Sequence, residues 1–352
     1  MMRDKAFDLL YQSFNPALPN TLWFVDENLI PEHAPAAMGN TRVIANRYHI
    51  HRQLLNAGWH AEFSDFDCQG LAPGSYDQIY LRIPKEKALA HYLINTASRL
   101  LAPTGSLILS GLKQEGIKGF FDRADTAGAQ TERWKLDKET WAAAITFTQP
   151  ITLDDKDYTA LRPAVADTSF SFISKPGVYG WNKIDQGSQL LIEHLCDIIG
   201  QSQPQSALDI GCGYGYLSLH TGKMLSIPVT ATDTNAAAIE CCTANATQSN
   251  VNISAVADDC ARHIDSVFDL VVCNPPFHSG FGVESQLTDR FLASAAQHLT
   301  PDGQAIFVTN LHIGIEKKAA DYFSIVDTPV QTNHFKLIHL RLPKKSKATV
   351  SD

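Results

Sequence analysis

The chain has no apolar stretch long enough to cross a membrane: within its 352 residues no uninterrupted run approaches the ~18 positions a spanning helix needs. Its first residues, Met1-Met2-Arg3-Asp4-Lys5, lead into a short amphipathic stretch that lacks the apolar core and cleavage pattern of a secretory signal. A cytoplasmic protein with no membrane partner is expected. Cysteine is present without a pattern: seven residues form no C-x-x-C pair, and the odd number argues against a disulfide framework. The thirteen histidines contain no H-E-x-x-H, so no metal is expected. Positive charge is scarce as well, since the net charge is −8 and charged residues make up only 19% of the chain. A uniformly basic surface is excluded, and any polyanion would have to meet a local basic patch.

What is present is apolar content sufficient for two cores, 44% over a length that suggests two domains. The most informative segment is Asn274-Pro275-Pro276-Phe277, which ends the apolar run Phe268-Asp269-Leu270-Val271-Val272-Cys273. Two prolines donate no backbone hydrogen bonds and hold φ near ~−65°, so the strand must stop. The Asn274 side-chain carbonyl and the Asn274 and Pro275 main-chain carbonyls then form an acceptor-rich rim, and Phe277 offers a π face beside it. A flat amino group fits such a rim. So does a plain strand-ending turn, for which Asn-Pro is an ordinary signal.

Upstream, Ser206 to Leu219 reads as a short strand, a glycine loop and an apolar-periodic helix. Gly211, Gly213 and Gly215 follow a Gly-x-Gly-x-Gly spacing, which is not the Gly-x-Gly-x-x-Gly dinucleotide fingerprint. Asp209 puts a carboxylate under this loop, suited to the cationic end of a ligand and unsuited to a pyrophosphate. One βα unit later the strand Val229 to Asp233 ends in an acid placed to accept from ribose hydroxyls. A third unit, Ile253 to Ala257, is followed by Asp258 and Asp259, either of which can meet an adenine amino group. Each acid alone also reads as a helix cap or turn former. Together they fall at the ends of four successive strands, the rim where open α/β sheets bind ligands.

With these motifs the C-terminal half, roughly residues 170 to 342, resembles the class I S-adenosylmethionine-dependent methyltransferases that modify amino or amide nitrogens. His278, the stretch Lys175-Pro-Gly-Val-Tyr and Asp185-Gln-Gly-Ser188-Gln-Leu-Leu narrow the resemblance to the bacterial guanine-N2 methyltransferases of small-subunit ribosomal RNA, the RsmC type. The resemblance implies S-adenosyl-L-methionine as cofactor, with Asp209, Gly211, Gly213 and Gly215 at its methionine end, Asp233 at the ribose and Asp258 or Asp259 at the adenine. It implies direct methyl transfer to a guanine N2, with Asn274 and Pro275 accepting from the amino group, Phe277 stacking on the base, and Pro276 and His278 bordering it. The implied partner is ribosomal RNA, within or outside the small subunit. Large-subunit guanine-N2, adenine-N6 and protein glutamine stay open as acceptors, as does a non-catalytic ribosome-assembly factor that keeps the fold.

The chain states one theme twice. Tyr76-Asp77-Gln78-Ile79-Tyr80-Leu81-Arg82-Ile83-Pro84-Lys85 echoes residues 268–277, and residues 100–109 echo 298–307. The expected fold is therefore α/β with two tandem Rossmann-like methyltransferase domains, each a mostly parallel sheet flanked by helices. Residues 1–165 form a degenerate copy without a cofactor pocket, and residues 166–352 the catalytic domain. No glycine loop follows Leu22 to Asp26, and Arg82-Ile83-Pro84 stands where the acceptor motif belongs. Residues 148–166 are expected to be the connection. In the second half, helices are expected over 188–199 and 286–299, and strands over 303–310 and 333–342, the last reversed. The basic tail with Lys336, Arg341, Lys344, Lys345 and Lys347 is the candidate RNA contact, Lys336, Lys344 and Lys345 foremost.

Overall fold

In a computed structural model the described residues are 4–30, 34–276 and 281–344, with backbone alone at 281–285. The chain divides into two compact units, Met1–Ala160 and Leu161–Asp352. Each is an α/β domain built on its own seven-stranded sheet.

The first unit runs α1 (Lys5–Gln12), β1 (Thr21–Val25), β2 (Thr41–Ala45), α2 (Tyr48–Asn56), β3 (His60–Phe63), β4 (Tyr76–Arg82), α3 (Lys87–Leu100), β5 (Leu101–Leu112), α4 (Ile117–Thr126), β6 (Ala129–Lys135) and β7 (Thr140–Phe147). The second begins with a small hairpin, β8 (Arg162–Ala166) and β9 (Ser171–Ser174), and continues α5 (Gln186–Ile199), β10 (Ala207–Ile210), α6 (Tyr216–Leu225), β11 (Val229–Asp233), α7 (Ala236–Ser249) and β12 (Ile253–Ala257). It closes with β13 (Phe268–Cys273), α8 (Phe281–Gln297), β14 (Leu299–Asn310), α9 (Ile315–Tyr322), β15 (Phe323–Gln331) and β16 (Phe335–Pro343).

The strand orders are β3-β2-β1-β4-β5-β7-β6 and β12-β11-β10-β13-β14-β16-β15, one topology used twice. In each sheet the first five strands are parallel and the last two join antiparallel. The central strands explain their own burial. Leu22, Trp23, Phe24 and Val25 of β1, and all four residues of β10, are buried, as expected of parallel strands covered on both faces.

The echo heard in the sequence extends to a shared irregularity. The β4–β5 ladder pairs Tyr76 with Leu101 and then jumps to Gln78 with Ser106; β13–β14 pairs Phe268 with Leu299 and jumps to Leu270 with Gln304. Carrying the register across, Trp23 opposite Tyr80 corresponds to Asp209 opposite Val272, and Arg82, the last residue of β4, corresponds to Asn274, the residue just after β13. Among the described residues no helix joins β1 to β2, whereas α6 joins β10 to β11.

Several boundaries differ from expectation. Helix α8 begins at Phe281 rather than 286, and β14 begins at Leu299, because its first residues form the irregular pairing just described. The reversed strand begins at Phe335 and lies inside the sheet, with β15 outside it. The pattern of β15 is masked by its edge position and by Pro329, which falls within the register break between Asp327 and Val330 where no ladder bond is required. Residues 148–160, expected as a loose connection, pack into the first unit. Ile151, Leu153 and Tyr158 are buried there, and α3 holds the segment through Ser98 Oγ to Ile151 N (3.0 Å) and Asn95 Oδ1 to Leu153 N (2.7 Å).

Candidate active site at the carboxyl ends of the second sheet

The glycine loop leaves β10 and is drawn toward β11. Gly211 and Cys212 both donate backbone N–H to the Thr232 carbonyl, at 2.8 and 2.9 Å, and Gly213 N donates to Asp233 Oδ2 at 3.0 Å. Two glycines are required by geometry. Gly215 starts α6 at φ 92°, and a Cβ there would come within 2.9 Å of Cys242 Sγ on α7, so the helices could not pack as closely. Gly213 has φ 55° and faces open space, with nothing within 4 Å of where its Cβ would stand. The outer side of the loop is thus a bare backbone cradle.

Beneath it Asp209 is fully buried. Ser218 Oγ donates to its Oδ2 at 2.5 Å, and among the described residues its Oδ1 has no partner. Burial pushes the Asp209 carboxyl up to about 7; the nearby Asp233 carboxylate adds to the rise and Ser218 opposes it. Asp233 ends β11, accepting from Gly213 N and, through Oδ1, from Asn235 N at 2.9 Å.

A strap formed by residues 173–185 is fastened to these elements. Asn235 caps α7 by accepting from Ala237 N, while its Nδ2 donates to the Gly177 carbonyl at 2.8 Å. The fully buried Asn245, mid-helix in α7, accepts from Ile173 N and donates to the carbonyls of Ile173 and Tyr214, each within 2.8 Å. Tyr214 OH reaches Lys183 O at 3.2 Å, and the almost fully buried Lys175 places Nζ 2.5 Å from Glu240 Oε2.

At the end of β13, Pro275 is buried, Pro276 exposed and Asn274 half-buried. Asn274 Nδ2 donates to Asp185 Oδ1 at 2.7 Å and to Ser188 Oγ at 2.8 Å. Asp185 is itself the N-cap of α5, accepting from Ser188 N at 2.9 Å. Because an ionised carboxylate only accepts, the atom facing Asp185 must be the amide nitrogen. Asn274 Oδ1 is therefore the end left to act as an acceptor.

Asp258 and Asp259 follow β12. Asp258 is buried and accepts from Asp259 N (2.6 Å), His263 N (2.9 Å) and His263 Nδ1 (3.0 Å), organising the turn it starts. Asp259 pairs with Arg290 of α8. Asp209, the loop, Asp233 and Asn274 stand on one rim of adjacent strands, while both later acids are committed to local bonds beside it. Phe277, His278 and Lys345 lie outside the described residues.

Of the basic tail, Lys336, Arg341 and Lys344 are among the described residues, and Lys347, like Lys345, is not. Lys336 is buried with Nζ 2.5 Å from Glu316 Oε1, Arg341 pairs with Asp327 at 2.5 Å, and the exposed Lys344 bonds the Ala320 carbonyl. Both cysteines beside the site, Cys212 and Cys273, are buried. A neighbouring Cys242 and burial hold the Cys212 thiol well above its ordinary pKa, and burial does the same for Cys273. Motif reading placed Asn235 at the start of α7 and Asn245 along it but gave neither its tie to the strap, and it missed the bond of Ser218 to Asp209 and the Lys175–Glu240 pair, which follow no spacing rule.

Family comparisons agree with this layout. The Methyltransferase small domain matches residues 169–339, and the Methyltransferase small domain N-terminal matches residues 23–137. Ribosomal RNA small subunit methyltransferase C of Shewanella loihica is 28% identical over 273 residues, covering 75% of this chain and 76% of that protein. The same-named protein of a Marinomonas species is 30% identical over 244 residues, covering 67% of this chain and 68% of its own length. The chain belongs to the ribosomal RNA small subunit methyltransferase C family. A solved structure, the T. thermophilus 16S rRNA N2 G1207 methyltransferase (RsmC) in complex with AdoMet and guanosine, superimposes with a TM-score of 0.81 over 96% of this chain and 92% of that one. At 23% identity the likeness shows that the family's fold is shared. Among the described residues no helix is long and apolar enough to cross a membrane.

Proposed function

We propose that this protein transfers a methyl group from S-adenosyl-L-methionine to the exocyclic N2 of a guanine in 16S ribosomal RNA, in the cytoplasm, on the RNA alone or within the small subunit. Family membership supports the substrate class. The observation that carries the chemistry is the fixed amide of Asn274, whose acceptor end is left available at the strand end beside the glycine cradle.

The residues present fit the cofactor. Gly213 leaves open space against the loop, Asp209 Oδ1, without a partner among the described residues, suits a cationic methionine end, and Asp233, at the end of β11 and bonded to the loop, would accept from the ribose. Asp258 or Asp259 would face the adenine. The cofactor supplies a methyl already activated by its sulfonium. The chain's own task is alignment, and acceptors that draw the amino hydrogens toward oxygen so that nitrogen lone-pair density points at the methyl. Asn274 Oδ1 and the Pro275 carbonyl take that part, Phe277 stacks on the base, and Pro276 and His278 border it. No strong general base is needed, because the proton leaves after the nitrogen has become cationic. A paired guanine would first have to be unstacked, at a few kcal/mol.

Of the tail lysines, Lys344 and Lys345 are the better RNA contacts, because Lys336 is already neutralised by Glu316. The first domain is a degenerate copy that keeps the fold and contributes to RNA positioning or to folding. Its Trp23 stands at the Asp209 register position, and among the described residues no helix joins β1 to β2.

The test is labelled methyl transfer to 16S RNA and to small subunits lacking the modification, followed by nucleoside and amino-acid analysis. N2-methylguanosine is expected. N6-methyladenosine or methylglutamine in its place would overturn the acceptor, and calorimetry showing no S-adenosyl-L-methionine binding would favour a scaffold.

A further inference from the structure

Asn274 can serve as an acceptor only if its amide does not turn over, since the flipped side chain would present two N–H donors to an amino group that also donates. A terminal amide torsion is broad and roughly two-fold, so the side chain itself does not choose. The choice is made at Asp185 and Ser188. Both Nδ2 bonds, 2.7 Å to Asp185 Oδ1 and 2.8 Å to Ser188 Oγ, run to the first turn of α5. Asp185 is in turn immobilised as that helix's N-cap. Gly187 lets the turn press this close, because a Cβ there would meet Asp185 Oδ1 and Val308 at 3.1 Å and Phe335 at 3.3 Å.

The first unit supplies an internal comparison. Asp4 caps α1 as Asp185 caps α5, accepting from Ala6 N at 2.8 Å and Phe7 N at 3.2 Å. It too reaches the residue that ends the fourth strand, with Oδ2 3.0 Å from Arg82 Nε. The link between a helix-capping aspartate and that strand end is therefore a property of the shared fold. Arg82 can only donate, so in the first unit the link fixes a cation and presents no acceptor.

We propose that Asp185 is a positioning residue for methyl transfer: with Ser188 it holds the Asn274 amide in the one orientation that offers Oδ1 to the incoming amino group. This rests on the nitrogen-methylation reading given above. Asp185→Ser is the discriminating change, because one oxygen, Asp185 Oδ1, accepts both the cap bond from Ser188 N and the Asn274 Nδ2 bond, so an asparagine that kept the cap would keep the preference too. Serine caps helices about as well as aspartate, but its shorter side chain withdraws the carboxylate from the Asn274 amide nitrogen. Ser188→Ala removes the second anchor without altering the cap.

With the full chain, S-adenosyl-L-methionine and 16S RNA or unmodified small subunits, Asp185→Ser is expected to lower kcat about tenfold, the kinetic size of one hydrogen bond. The cofactor dissociation constant, measured by calorimetry, should stay within about twofold and the melting temperature unchanged, since less than ~0.5 kcal/mol of binding is lost. Ser188→Ala should act in the same direction, more weakly. Independently of activity, selective 15N labelling of asparagine, with Asn274 assigned by its loss in Asn274→Ala, should show its side-chain amide protons protected from exchange in the wild type and exposed in Asp185→Ser. Unchanged kcat, or a loss matched by weaker cofactor binding or by unfolding, would overturn the positioning role. Wild-type protein that methylates no nitrogen would instead overturn the function, while the amide-exchange comparison would still report on the lock.

Discussion

Trp23 occupies in the first sheet the register position that Asp209 holds in the second: Trp23 lies opposite Tyr80 on the neighbouring strand, and Asp209 opposite Val272. Both are buried, with opposite consequences. Trp23 joins Phe7, Phe14 and Trp59 in an aromatic cluster with ring centroids 5.1 to 5.7 Å apart, filling its surroundings with side chains. Asp209 keeps a carboxyl oxygen without a partner under a bare loop.

The first domain should therefore depend on its polar strand end for stability alone. Arg82, almost fully buried, pairs with Asp4 and Glu115. Arg82→Ala leaves two carboxylates without their cation and is expected to destabilise by about 3–5 kcal/mol, read as a lower denaturation midpoint. Calorimetric affinity for S-adenosyl-L-methionine should not change in the folded variant; a large loss of affinity would contradict a pocketless first domain.

Asn274→Ala removes the acceptor and leaves the loop and Asp233 intact. Turnover should fall about 10²-fold or more, as when a single positioned transition-state hydrogen bond is deleted, with cofactor affinity retained. Turnover equal to wild type in a single-turnover assay would refute the role.

Gly213→Ala separates loop geometry from cofactor space. The left-handed φ costs a β-carbon about 1 kcal/mol, too little to unfold the domain, but the added methyl points into the open cradle. S-adenosyl-L-methionine affinity should drop at least about tenfold, equivalent to ~1.4 kcal/mol. Calorimetry with a parallel thermal melt checks both halves of the expectation.

Asp209 predicts a pH dependence. Its folded-state carboxyl, raised to about 7, stays protonated at pH values where an unfolded aspartate has ionised. The native state thus binds the extra proton, and the contribution to stability is fully present below the ordinary aspartate pKa and is lost as pH rises through about 7. Asp209→Asn mimics the neutral form at every pH. It should melt higher than wild type at pH 8, with the gap narrowing toward pH 5; a gap independent of pH would show that ionisation is not the cause.

What the sequence made legible is local. The proline-terminated strand, the glycine loop and the acid ending β11 each lie within a few consecutive residues, and the doubled strand pattern with its helices follows from hydrophobic period. Less legible were interactions that join remote segments. Asn245 reads as an indifferent polar residue in a helix, yet it holds Ile173, 72 positions away. Lys336 reads as part of a basic tail, yet strand pairing turns it toward Glu316 and buries it. Strand β15 hides behind an edge position and a proline, and residues 148–160 show too little periodicity to reveal that Ile151, Leu153 and Tyr158 complete a core.

The fastening of residues 173–185 bears on the timing of catalysis. Gly177, Ile173 and Lys175 are each bonded to α7, and Lys183 is bonded to the tyrosine of the glycine loop. Lifting the strap would break these bonds together, at about 1 kcal/mol or more apiece, and would take from the buried Asn245 its two bonds to Ile173 while leaving the one to the Tyr214 carbonyl. This side of the site is therefore expected to act as a fixed wall and not as a gate: in hydrogen exchange its amides should be as slow as those of α7.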